Sequence, residues 1–367
     1  MATILGIEST CDETAAAVVA DGYDVRSNVV ASQVELHAKY RGVVPEIASR
    51  AHIESLVPVL REAMQNAECG MQKEEEEQGG RVSPVRASSF GLPPSSVDAI
   101  AVAHRPGLIG SLLIGLTAAK TLAWALGKPL IGVDHVHAHL YSVVLESNEQ
   151  PLFPAVGLVV SGGHTALYRV GSWLDVELIG STIDDAVGEA YDKVAALLGL
   201  GYPGGPVLDR LAERDDPRAI EFPRTLLARD SLDFSFSGLK TAVLYHVYGV
   251  PTRDKRLDTS KPPQLSDQHL SDLAASFQAA CVDVIVKKLG RAVRHVGARS
   301  VIVGGGVSAN RGLRAALAGF PVPVRFPPLR YCTDNAAMSA GLAEVYFREG
   351  RFSPLDLDAV THSQFRD

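Results

Sequence analysis

Residues 132–142 read GVDHVHAHLYS and place His135, His137 and His139 within five positions. Imidazoles at that density suit either metal ligation or a polar helix surface. On a strand all three would share a face. On a helix, about 100° per residue puts His135 and His139 together and turns His137 nearly opposite. The flanks select the helix, because Val136, Leu140, Val143 and Val144 recur at i, i+4, i+7 and i+8 and Asp134 is a good N-cap. An HxxxH pair supplies two ligands, and a zincin would also need Glu directly after the first His, where this chain has Val136. Asp334, in YCTDNAAM, stands at the start of a predicted helix. It is either an ordinary helix cap or the third ligand of a site whose two His and one carboxylate suit Fe(II), and also Zn(II).

Two glycine-rich stretches have a different chemistry. VVSGGHT (residues 159–165) and GGGVSANRG (304–312) end predicted strands, where backbone N–H groups can approach a phosphate. Tight turns without a ligand have the same composition. Asp185, Glu189 and Asp192 fall at i, i+4 and i+7, on one predicted helix face shortly before GYPGGP. Such a stripe is either a solvated face or a source of carboxylate acceptors for a ribose.

The elements that must position these residues alternate between strands and helices. ATILGIES and residues 14–20 read as antiparallel partners, and VDAIAVAH and KPLIGV as further strands. PAVGLVVSGGHTALYRV begins a second series, strand–glycine turn–strand, and SVIVGGGVSANRGLRAAL continues it. Two such series predict a duplicated α/β core. Residues 67–96, with KEEEEQGGRVSPVRASS, predict a mobile surface loop, and residues 252–267 a polar loop or helical insertion. Residues 109–127 are apolar for nearly a bilayer's thickness but contain Lys120 and follow a strand, which predicts a buried helix and no membrane span.

With 367 residues, 46% hydrophobic and 21% charged, the chain can form two compact domains. A net charge of −7 excludes a generally basic nucleic-acid-binding surface while leaving room for a local patch. Cys11, Cys69, Cys281 and Cys332 form no CxxC pair, so a disulfide framework is not expected and a reducing, cytoplasmic setting is. The opening MATILGIEST lacks the basic region and apolar length of a signal peptide.

In order along the chain stand GIESTCDET, RGVVPEIASRAH, DHVHAH, LVVSGGHT, DDAVGEAYDKVAALLGLGYPGGP, DFSFSGLKT, GGGVSANRGLR and CTDNAAM. Together these resemble the TsaD family of tRNA adenosine threonylcarbamoyltransferases, formerly called O-sialoglycoprotein endopeptidases. The resemblance implies an actin-like, sugar-kinase-like (ASKHA) ATPase fold of two α/β lobes with the site in the cleft between them. Residues 1–133 and a C-terminal helix at 335–367 would form the first lobe, and residues 134–334 the second. It further implies transfer of threonylcarbamoyl from threonylcarbamoyl-AMP to N6 of adenosine 37 in tRNAs reading ANN codons, with release of AMP. The metal, Fe(II) or Zn(II), would sit on His135, His139 and Asp334. The adenylate would be held by Val159, Val160, Ser161, Gly162, Gly163, Asp192, Gly205, Asp209 and Asn310. Where the family has a GPGL turn, this chain has Arg105 ahead of Pro106, Gly107 and Leu108. Asp12 and Glu13, in the polar turn after the first strand, are candidates to accept the amine proton, although hairpin turns are acidic for ordinary reasons too.

TsaB-like and TsaE-like partners are implied as well, with short apolar helices such as residues 53–63 as the docking surface. Basic residues look thinly spread, with Arg50, Lys240, Arg311, Arg314, Arg325 and Arg330 as the expected tRNA contacts. The alternatives to this reading are an HxxxH metalloprotease and a non-catalytic nucleotide-binding regulator.

Overall fold

The computed structural model describes residues 2–40, 42–77, 96–213, 215–228, 230–251, 257 and 262–362. They form two compact units, one comprising Met1–His37, Val43–Gln150 and Pro327–Asp367, the other Ala38–Gly42 and Pro151–Phe326.

The first unit is built on β1 (Thr3–Glu8), β2 (Glu13–Ala20), β3 (Asp24–Ser32), β4 (Ala99–Arg105) and β5 (Leu130–Asp134), in the order β3-β2-β1-β4-β5. The first three strands are an antiparallel meander, and β4 and β5 join parallel to β1. β1 is buried at Ile4 to Glu8, as a central strand covered by helices on both faces must be. Its helices are the short α1 (Val34–Ala38), then α2 (Pro45–Glu77), α3 (Ile109–Leu126) and α4 (His135–Tyr141).

The second unit repeats this plan. β6 (Ala155–Val160), β7 (Thr165–Ser172) and β8 (Asp175–Ser181) form the meander, β9 (Ser300–Gly304) and β10 (Val324–Arg325) run parallel to β6, and the order is β10-β9-β6-β7-β8. Its helices are α5 (Val187–Leu197), α6 (Gly204–Ala212), α7 (Ser237–Tyr248), α8 (Asp267–Val296) and α9 (Arg311–Leu317). Phe234, Phe236 and Phe277 fill its core. The expected duplicated core is therefore visible as two sheets of identical topology.

The chain then returns to the first unit as α10 (Ala336–Arg348), which lies across β1 and β2. The approach is close: a Cβ at Gly6 would come within 2.5 Å of the Ala336 carbonyl oxygen and 2.9 Å of the Ala340 methyl. Glycine at this point of β1 is what lets the helix seat.

Several expectations are corrected. Residues 67–77 continue α2 and are not loop; residues 78–95 lie outside the described residues. Of the polar stretch 252–267, residues 257 and 262–266 have no regular structure, α8 begins at Asp267, and the others lie outside the described residues. The C-terminal helix ends at Arg348, and residues beyond it fold back so that Ser353 pairs with Leu130. The histidine helix α4 groups with the first sheet, because it follows β5 directly and packs beneath α10. α3, expected to be buried, buries one face through Leu112, Gly115, Leu116, Ala119 and Ala123 and leaves Trp124 75% exposed. α3 and α8 are both long and apolar enough by composition to cross a bilayer, and α8 buries 67% of its most apolar window inside its own unit.

The seating of α10 is testable. Gly6→Ala drives a methyl into backbone that cannot rotate away, so urea titration should show a loss of about 1–3 kcal/mol, whereas Gly127→Ala at the exposed end of α3 should cost less.

Candidate metal centre and glycine loops

α4 is set by its cap: the Asp134 carboxylate accepts from the backbone N–H of Val136 at 3.0 Å and of His137 at 3.3 Å. Arg105 Nε lies 3.3 Å from the other Asp134 oxygen, so the arginine that replaces the turn glycine holds the cap in place. All three histidines are buried, which removes the polar-surface reading. His135 and His139 turn inward together, with ring centroids 4.6 Å apart, and His137 is not part of their cluster.

Asp334 completes it. The cap of α10 is the next residue, Asn335, whose side chain accepts from Met338 N–H, and this frees Asp334 from the capping role. Asp334 Oδ1 is 3.0 Å from His139 Nε2 and 3.5 Å from His135 Nε2, and the three residues offer ligand atoms within 4.8 Å of one another. Two imidazole nitrogens converging on one carboxylate oxygen need a proton or a cation among them. This donor set, two imidazoles on one helix and a carboxylate just ahead of another, fits a divalent transition metal.

Sequence reading missed a fourth member. Glu8, at the end of β1 and wholly buried, accepts from Thr10 N–H at 2.8 Å and lies 3.1 Å from His135 Nδ1. A carboxylate on the far nitrogen fixes the imidazole so that Nε2 faces the ligand position. The available signal was an acid ending an otherwise apolar strand, TILGIE.

Burial, the largest influence on His135, disfavours its cation, but the charges of Glu8 and Asp334 outweigh it and raise the pKa to about 9. Burial, followed by the charges of Asp334 and Asp12, pushes Glu13 up to about 9 as well. Glu13 is thus protonated at neutral pH. No comparable acid stands beside His135 on α4, since Val136 is wholly buried in the core. A protease-type base is lacking there.

In the second unit the glycine loops differ in why they need glycine. A Cβ at Gly305, where φ is +88°, would come within 2.4 Å of the Val160 carbonyl oxygen, so that glycine serves the fold. At Gly162, Gly163 and Gly205 a Cβ would meet nothing within 4 Å. These three have open space above the backbone, as a ligand approaching the main chain requires. Val159 and Val160 are core residues of β6, and Ser161 Oγ accepts from His164 N–H to shape the turn.

The acid stripe separates into two roles. Asp185 lies before α5 and, with Glu189, is paired to Lys193. Asp192 accepts from Gly204 N–H at 2.7 Å, tying α5 to the start of α6 beside Gly205. Asp209, buried, accepts from Arg311 Nε at 3.0 Å and from its backbone N–H. Asn310 caps α9 through Leu313 N–H and donates to Gln278 Oε1, which also accepts from the Tyr191 hydroxyl. Gln278 was not singled out by sequence reading, and Arg311, expected as a tRNA contact, is instead bound to Asp209.

This architecture defines a class: an actin-like, sugar-kinase-like ATPase fold with two buried histidines and a half-buried aspartate grouped in its first unit. Solved structures of that fold align along almost the whole chain. T. kodakarensis HypF matches with a TM-score of 0.58 at 14% identity over 96% of this chain and 49% of that one. Component A of (R)-2-hydroxyglutaryl-CoA dehydratase from Acidaminococcus fermentans matches at 0.51, 12% identity, over 95% of this chain and 99% of that one. These similarities establish the fold alone.

The sequence comparisons go further. The family model described as TsaD: tRNA N6-adenosine threonylcarbamoyltransferase matches residues 24–75 and 86–341. Proteins of that name from Symbiobacterium thermophilum and Moorella thermoacetica are 49% and 47% identical over 361 residues, 97% of this chain and 95% of each relative. The chain belongs to the TsaD family.

Two measurements test the electrostatics. A metal ion entering the site must displace the proton on His135, so affinity measured by chelator competition should rise about tenfold per pH unit from neutral pH and level off near pH 9, with proton release seen in weakly buffered solution. For Glu13, whose folded pKa lies above its ordinary 4.5, the favourable contribution is complete below pH 4.5 and is lost as pH rises toward about 9. In chelator, wild-type stability should therefore fall with pH across that window more steeply than that of Glu13→Gln.

Proposed function

We propose that this chain transfers the threonylcarbamoyl group of threonylcarbamoyl-AMP to N6 of adenosine 37 in tRNAs reading ANN codons, releasing AMP. The observation that carries the reading is the convergence of His135, His139 and Asp334 on one point in a chain of this family. These three residues would hold a divalent metal, Fe(II) favoured by the mixed nitrogen–oxygen donor set and Zn(II) also compatible. When bound, such an ion supplies Lewis-acid stabilisation of developing negative charge.

The donor is an activated mixed anhydride, so no protein nucleophile is needed. The N6 amine attacks the carbamoyl carbon, the carbon–oxygen bond to phosphate breaks, and AMP departs with the electron pair. The amine proton must leave in the same sequence. Asp12 is proposed to take it, while Glu13, protonated at neutral pH, would donate a hydrogen bond to an oxygen of the reacting group. The main-chain N–H groups of residues 159–163 and Gly205 hold the adenylate phosphate and its neighbourhood, supported by the open space at Gly162, Gly163 and Gly205. Asp192 and Asp209, held by Gly204 N–H and Arg311, offer their remaining lone pairs to the ribose. Asn310 presents its second amide hydrogen to the base.

A TsaB-like partner is supported by the apolar surface that α2 and α3 share. Ile53 is 66% exposed and Val57 50%, and Leu113 and Ile109 are also exposed on the helix packed against them. Such a helix pair fits a bundle with a matching subunit, and a TsaE-like ATPase is proposed to act with it. Free thiols at Cys11, Cys281 and Cys332 support a reducing, cytoplasmic setting.

Asp334→Ala and His139→Ala should abolish stoichiometric metal by elemental analysis and reduce nucleoside modification at least a hundredfold, with adenylate affinity retained. Gly163→Val should do the reverse: since among the described residues nothing lies within 4 Å of a Cβ there, the fold and metal stay and adenylate affinity falls by calorimetry. Purified chain with synthetic adenylate and tRNA should turn over slowly until partners are added. Mass spectrometry of tRNA nucleosides from cells depleted of the protein decides the reading: an unchanged level of threonylcarbamoyladenosine would refute it.

A further inference from the structure

Charge is segregated along this chain. Residues 284–333 carry nine of its 35 Lys and Arg and none of its 42 Asp and Glu, leaving a net charge of −16 on the remainder. Up to residue 326 this acid-free span belongs to the second unit and forms the C-terminal half of α8, then β9, α9 and β10. Lys287, Arg291 and Arg294 recur at i, i+4 and i+7, hence on one face of α8. Arg299 follows in the exposed turn before β9.

These cations differ from the others. Arg50 is paired with Glu46, Lys240 with Asp185, Arg311 with Asp209 and Glu213, and Arg330 with Glu146. Four of the expected tRNA contacts are thus neutralised by the protein's own acids. Among the described residues Lys287, Arg291, Arg294 and Arg299 form no ion pair; Arg291 and Arg299 donate only to backbone carbonyl oxygens. Lys287, Arg294 and Arg299 are exposed, and Arg291 is half-buried beside them.

The surface is also shaped. Lys287, Arg291 and Arg294 border a depression of about 520 Å3 with Phe320 and Pro321 at its side. A second depression of about 530 Å3 shares Phe320 and Pro321 and adds Arg314, whose guanidinium lies over the Phe326 ring at 4.6 Å. The two adjoin at these shared residues.

We propose that this face of α8, with Arg299 and the 320–326 segment, grips the phosphodiester backbone of the tRNA; this rests on the reading above that tRNA is the substrate. Backbone binding is driven by Lys and Arg that replace phosphate counterions, and contacts of this kind position the RNA without reading its sequence. The placement is consistent. α8 reaches the adenylate residues at Gln278, which bonds Asn310, and at about 1.5 Å per residue Lys287 lies about 14 Å and Arg294 about 24 Å further along. That run suits a stem extending away from the reacting nucleoside. The acidic remainder of the chain repels RNA and so favours this one face.

The test uses the full chain and labelled tRNA in fluorescence anisotropy over a salt series. In Lys287→Gln/Arg294→Gln/Arg299→Gln, affinity near 0.15 M salt should fall at least tenfold and the slope of log affinity against log salt should shrink by about 2, as expected for three lost phosphate contacts at 0.7–0.9 each. In turnover assays KM for tRNA should rise with kcat unchanged, and adenylate affinity should stay at the wild-type value. Arg169→Gln, whose cation is matched by Asp175 and Glu177, is the control and should leave tRNA affinity unaltered. An unaltered salt slope in the triple variant, an equal loss in the control, no tRNA binding by the wild type at low salt, or lost association with a protein subunit at intact tRNA affinity would each overturn the proposal. The functional reading is judged separately, by whether wild-type protein with donor and tRNA yields the modified nucleoside.

Discussion

The structure of the first unit depends on how α10 begins. Asn335 is fully buried, accepts from Met338 N–H, and donates to the carbonyl oxygens of Thr333 and Tyr331. One side chain therefore closes the first turn of the helix and fixes the three residues before it. With the cap assigned to Asn335, Asp334 is held at the edge of the helix with its carboxylate directed at the two imidazoles. The same helix start rests on β1 at Gly6, and β1 ends two residues later in Glu8, the carboxylate behind His135. Asp334 and the carboxylate behind His135 are thus located by a single helix–strand contact.

That contact also concentrates charge. Glu8 and Asp334 approach His135, and Asp12 and Glu13 lie near Asp334, in a region partly withdrawn from water where uncompensated carboxylates are costly. The chain responds by keeping a proton on His135 and another on Glu13. A divalent ion neutralises the same carboxylates, so the site trades protons for metal and its affinity is tied to pH. The second unit solves its polar problem differently. Tyr191, Gln278, Asn310, Asp209 and Arg311 satisfy one another, so the groups that border the open glycines are fixed before any ligand arrives.

Much of this was legible in the sequence where one physical rule acts alone. The 3.6-residue spacing around HxxxH, with Asp134 as cap, placed His135 and His139 on one face and His137 off it. Glycine turns after apolar runs located both halves of the duplicated core. Legibility failed where two rules compete. Both Asp334 and Asn335 are good caps, and only packing chooses between them. β3 and β8 are polar edge strands whose exposed residues gave no apolar run to notice. KEEEE looked like solvated coil, yet it extends a helix already nucleated by the buried residues of α2. Glu8 was invisible because its partner lies 127 residues away. The cations of α8 were hidden by averaging, since a net charge over 367 residues cannot report a 50-residue span with no acid.

The split course of the first unit has a consequence for the order of events during synthesis. His139 and Asp334 are 195 residues apart, and the whole of Pro151–Phe326, a sheet with its own core, is made between them. Domains fold as units as they emerge, so the second unit can be complete while the first still lacks the helix that covers β1. A chain halted between residues 151 and 333 has both histidines and an uncovered apolar sheet face but not Asp334. Metal occupancy is therefore a report that translation has passed α10, and incomplete chains are marked by exposed β1 and β2 for capture by chaperones or proteases.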